Sequence, residues 1–193
     1  MAIRSLKSGT FSRSGLVGNP VIMPGSYDSI ATTTLSTATA SVTFSSIPAT
    51  YTHLQIRYIA RSTRVTSGSY LIFQANADTG NNYANHGLYG TGATAGAYAV
   101  TTTNEALEGY VTSSGDTASA FGACVCDILD YASTSKYKTF RGLTGADVNG
   151  TNGQLRYSSG VWMNTGAITS ITIKDGNAAN LDTYSSFALY GVN

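Results

Sequence analysis

Charge is what this chain has least of. Asp, Glu, Lys and Arg make up 11% of its 193 residues, Glu occurs only at Glu105 and Glu108, and the net charge is +1. An average soluble domain carries about 25% charged residues, so no field of one sign draws nucleic acid toward it, and no nucleic-acid partner is expected. Long apolar runs are missing too. The stretch 121–129 falls well short of the ~20 residues of a membrane span, and residues 1–10 hold nothing like a signal peptide. A chain made in a cytosol, with no membrane partner, is the expectation. Two cysteines, Cys124 and Cys126, are too few for a disulfide framework. No heptads and no repeat of 20 to 50 residues occur, which argues against a coiled-coil shaft, a propeller or a solenoid.

What is present is hydroxyl, glycine and tyrosine. Ser and Thr fill about a quarter of the chain, beside 21 Gly, 13 Tyr and 6 Phe. Thr, Val, Ile, Tyr and Phe recur in short bursts divided by Gly, Asn and Ser, which is the composition of an all-β protein. Period-2 patterning supports strands at 41–44, 53–61, 70–76, 98–103, 109–112, 121–129, 155–158, 168–174 and 186–192. Within 53–61, Leu54, Ile56, Tyr58 and Ala60 share a core face, opposite His53, Gln55, Arg57, Ile59 and Arg61. Residues 104–108 read as a turn, and 81–90 as an Asn-rich turn region around His86. The expected architecture is a single β-sandwich over 26–193, jelly-roll-like from its strand spacing. Residues 1–25 read as an extended arm, broken by Gly18, Pro20 and Pro24. It carries Ile3, Leu6, Phe11, Leu16, Val17, Val21 and Ile22, too much apolar surface to stay free.

Chemistry is sparse. His53 and His86 are 33 residues apart, and a Ser/His/Asp triad built on His86 with Asp127 or Asp130 lacks the nucleophile elbow such a site needs. Cys124 and Cys126 put both sulfurs on one strand face, where core packing is the expected role; a zinc site would need two further ligands. Asp127 and Asp130, three apart, point to opposite strand faces and cannot share acid–base work, so Asp130 is assigned to organising the turn after it. Residues 147–153 lack the late acidic ligand of a calcium loop and read as an Asn-Gly turn. Arg57, Arg61 and Arg64, and Lys136, Lys138 and Arg141, read as solvated strand faces. No catalytic residue, metal or cofactor is expected.

Several stretches together resemble small virion structural proteins of tailed bacteriophages, decoration or tail-fibre-like and common in cyanobacterial and marine phages. They are residues 1–14 (MAIRSLKSGTFSRS), 41–47 (SVTFSSI) with 51–57 (YTHLQIR), 82–90 (NYANHGLYG), 127–132 (DILDYA) and 186–192 (SFALYGV). The resemblance implies a non-enzymatic component of the virion, contacting other capsid or tail proteins, and carries over no catalytic residue. Attachment is assigned to the arm, with Ile3, Leu6 and Phe11 as apolar anchors and Arg4, Lys7 and Arg13 as cations. A homo-oligomer is expected, with a trimer the form fibres and decorations often use. The alternative is a receptor-binding module for a host-surface glycan, with Tyr83, Tyr89, Tyr157 and Trp162 as its aromatic platform or as subunit contacts.

Overall fold

The computed structural model describes residues 26–149 and 152–193. These residues form twelve strands and no helix. The arm of 1–25, with Ile3, Arg4, Leu6, Lys7, Phe11 and Arg13, lies outside the described residues.

Eight strands make the larger layer, in the order β1 (Tyr27–Thr34), β12 (Ser186–Val192), β3 (His53–Ser62), β8 (Gly122–Leu129), β9 (Lys138–Ala146), β10 (Gln154–Trp162), β5 (Tyr83–Gly90) and β6 (Ala95–Thr103). Every pairing in it is antiparallel. Four strands make the smaller one: β2 (Ser41–Phe44), β11 (Ile171–Asp175), β4 (Ser69–Ala75) and β7 (Ala106–Ser113). A short parallel contact of β3 with β7, Arg61 to Thr112 and Ser62 to Ser113, joins the layers into one mixed sheet. The all-β, sandwich-like architecture is therefore as expected from composition. Jelly-roll connectivity is a finer statement than this strand order supports.

The core lies where the two layers face each other. Leu54, Ile56, Tyr58 and Ala60 are buried along β3, as their alternation requires, and meet Leu71, Phe73, Ile171 and Ile173 of the smaller layer. The Tyr58 ring bridges both, 6.4 Å from Phe73 and 5.8 Å from Phe187. Val42 and Phe44 point inward from β2.

Three strands were not expected: β1, β5 and β9. β5 replaces the Asn-rich turn region assigned around His86. Asn and Gly disfavour strands in isolation, but here Asn85 is buried and donates to the Glu105 carbonyl at 2.9 Å, and Gly87 lies directly beneath the Tyr98 ring. The turn at 104–108 is also shorter than expected, because Ala106 is drawn into the ladder opposite Phe73. Turn residues of weak preference yield to a neighbouring strand that completes their hydrogen bonds.

Candidate interaction face

Because antiparallel registers stack side chains into rows across a sheet, the outer face of the larger layer can be read row by row. One row is polar: His86 on β5, Ser159 on β10, Arg141 on β9, Asp127 on β8 and Gln55 on β3. The next is apolar: Ala97, Leu88, Tyr157, Leu143 and Val125, from β6 to β8. A third runs Ala95, Gly90, Leu155, Gly145, Ala123 and Ile59. Leu88 is 61% exposed, Leu155 59%, Ile59 55% and Leu143 52%. From β3 to β5 this surface crosses five strands, ~19 Å at the usual spacing. Beside Tyr157, His86, Leu88, Ala97, Tyr98 and Ser159 contribute to the lining of a shallow hollow of about 270 Å³.

The polar row is internally neutral. Arg141 donates to Asp127 Oδ2 at 3.2 Å, and Gln55 Nε2 donates to Asp127 Oδ1 at 2.8 Å. Asp127 raises the Arg141 pKa above its ordinary value, with the Tyr157 hydroxyl adding to the effect. Nearer β12, Arg57 donates to Gln55 Oε1 and lies over the rings of Tyr27 and Tyr190, at 5.3 and 5.1 Å. The face thus presents apolar and hydroxyl groups with its charges already engaged.

The four aromatics assigned to a platform do not share a surface. Trp162 and Tyr83 are buried and stacked on each other, ring centroids 6.3 Å apart. Trp162 Nε1 donates to Asp78 Oδ2 at 2.7 Å, and the Tyr83 hydroxyl accepts from the Ala75 N–H and donates to the Asp78 carbonyl. They are core anchors. Tyr89 faces inward over Gly96, on the side opposite Tyr157, since it registers with Arg156 while Tyr157 registers with Leu88. Only Tyr157 stands on the outer face.

No family model, curated protein or solved structure matches this chain. Geometry and sequence alone therefore carry the functional reading.

Other groups weighed for chemistry hold the fold together. His53 Nδ1 accepts the Asp130 N–H at 3.0 Å, and Asp130 takes Lys136 at 2.7 Å while its carbonyl accepts the Ser133 N–H, so it does organise that turn. The Lys136 hydrogen bond pulls the Asp130 carboxyl below its ordinary pKa. Cys124 and Cys126 are free and buried, and burial pushes the Cys124 thiol up to about 12. Among the described residues, no group of three or more His, Cys, Asp or Glu is placed to hold a metal. Two cations read as solvated are buried instead. Arg61 donates to the carbonyls of Thr117 and Ala120, and Lys138 to those of Lys136 and Thr165. Backbone acceptors draw them in, and burial lowers the Lys138 pKa.

The exposed apolar rows escaped sequence reasoning. Residues 138–146 alternate, but Gly142 and Thr144 occupy inward positions and Leu143 an outward one, which inverts the usual hydropathy signal.

Proposed function

We propose that this chain is a non-enzymatic structural protein of a tailed-phage virion, displaying its β-sandwich on the capsid or tail and associating with copies of itself. The observation that carries the reading is the apolar surface on the outer face, from Ile59 and Val125 to Leu88. Exposed apolar patches of this extent mark interaction sites. Beside it Arg141 is paired with Asp127 and Arg57 is held over Tyr27 and Tyr190, so little free charge opposes the meeting of two identical faces, which makes a second copy a fitting occupant. The hydroxyl-rich, weakly charged remainder suits contacts that change little with salt. The resemblance to virion proteins supports the same reading, and attachment is assigned to residues 1–25 as above.

A host-glycan reading retains Tyr157 with His86 and Ser159 around the small hollow. Binding on a glycan array that is lost in Tyr157→Ala would favour it. The primary test is mass spectrometry and cryo-electron microscopy of particles from the phage that encodes the chain. The expected result is a stoichiometric copy number and density on the particle exterior; absence from purified particles would remove the proposal.

A further inference from the structure

We propose that the groove between β1 and β2 accepts the amino-terminal segment of a second copy of this chain as an added strand. The inference rests on the reading of that segment as an attachment element, and names the neighbour that receives it.

Among the described residues β1 pairs only with β12 and β2 only with β11, so each has one edge with no described strand against it. The two strands line one groove of about 530 Å³. Every residue of 31–35 and 41–44 borders it, rather than alternate ones. Successive strand residues point to opposite faces, so this lining marks a groove bounded by strand edges. Beneath it, Ala31 and Leu35 pack half-buried against the core. An inserted strand would gain two ladders and cover that apolar margin.

Proteins protect exposed strand edges with charges, prolines or bulges. No Asp, Glu, Lys, Arg or Pro occurs in 31–35 or 41–44, and the one register irregularity of β1, at Ser29/Ala31, comes before the stretch. Among the described residues β6 likewise pairs on one side only, with β5.

The occupant follows from the chain itself. Residues 1–25 directly precede β1 and carry seven apolar side chains spaced from Ile3 to Ile22. Four residues match the length of β2, ~13 Å of extended chain. Immediate reversal onto β1 of the same copy would need a two-residue hairpin at Pro24 and Gly25, while return of 1–13 through a wider loop of 14–25 is the same-copy outcome that the isotope-resolved test below distinguishes. Two-residue hairpins use turns with positive φ at their first central residue, which proline cannot adopt. If residues 1–13 supply the inserted strand, the twelve residues 14–25 reach up to ~40 Å to a neighbour.

The test is isotope-resolved photocross-linking of the full chain. A Ser41→Cys variant is labelled with benzophenone maleimide and co-refolded with an unlabelled ¹⁵N wild-type copy. Ser41 is exposed at the groove, whereas Cys124 and Cys126 are buried, and labelling of the wild type in parallel verifies that they stay unmodified. The expected products join the benzophenone-labelled position of one isotope to peptides from 1–13 of the other, several-fold above a Thr101→Cys control on β6. Cross-links confined to one copy, or no excess over that control, would overturn the proposal. If Ser41→Cys does not fold, Thr34→Cys on β1 gives the same readout. A same-copy cross-link would remove strand exchange and leave the virion reading standing; absence of the protein from particles would do the reverse.

Discussion

Arg61 reaches into the loop after β7, where its Nη1 donates to the Thr117 and Ala120 carbonyls, both at 2.8 Å. Asp116, in the same loop, accepts from Ser67 Oγ and from the backbone of Gly68 and Ser113. Burial alone would raise the Asp116 pKa, but these hydrogen bonds outweigh it and hold the carboxyl below its ordinary value. Asp78 is lowered as well, chiefly by the Trp162 indole. Carboxylates depressed on folding contribute stability that is present above their unfolded pKa and lost as pH falls through the folded one. The urea midpoint should therefore fall as pH drops below about 4, and Asp78→Asn should flatten that decline. Trp162→Phe removes the indole donor from Asp78 and should cost about 1–3 kcal/mol, read by urea denaturation at pH 7. The cysteines give a further residue-scale expectation. With both buried and both thiol pKa values raised by burial, neither should react with Ellman's reagent in the native protein, and both should react in urea. A reactive thiol without denaturant would contradict the packing of β8.

Within the strands, tyrosines do work that glycines make room for. The Tyr98 ring lies on Gly87 and its hydroxyl is 2.8 Å from Ser158 Oγ, while Tyr89 lies on Gly96. Each ring covers the gap that a missing Cβ leaves in the paired strand, an arrangement that pins register. Gly87→Ala would push its methyl group into the Tyr98 ring, so the β5–β6 hairpin should loosen, seen as faster amide exchange in β6 with little change in β3. On the outer face, Leu143 is about half exposed and contributes little to the fold. Leu143→Lys should shift melting by less than about 1 kcal/mol while reducing self-association in sedimentation velocity. An unchanged sedimentation profile would remove this face as the contact surface.

The whole molecule is two layers held by their shared core and by a cationic clamp. Arg156 of β10 sits 4.3 Å from the Tyr70 ring of the smaller layer and 4.7 Å from Tyr98 of the larger one. Among the described residues the buried core runs from Val42 to Leu189 and draws on both layers. Deletion of residues 1–25 should therefore leave a cooperative melting transition but abolish incorporation into particles. Aggregation of the truncated chain would instead place the arm in its own domain's core. Under strand exchange the truncation should also shift the oligomer toward monomer at equal concentration.

The all-β class, the inward faces of β2 and β3, the buried cysteines and the turn at Asp130 were legible because each depends on local alternation or turn chemistry. β5 and β9 were not. Their Asn and Gly residues disfavour strands alone, and cross-strand partners such as Tyr98 over Gly87 make those positions stable. Tyr83 and Trp162 could be recognised as large anchors, but whether they faced solvent or core depended on Asp78, distant in sequence from Trp162, accepting the indole N–H. The outer apolar rows were hidden for the same reason. Leu88, Leu143 and Tyr157 are far apart in sequence, and it is the register of β5, β9 and β10 that sets them side by side. Alternation along a strand determines which residues share a face, a local steric property; which faces meet, and which stay bare, is decided by non-local pairing that balances hydrogen bonds across the whole sheet.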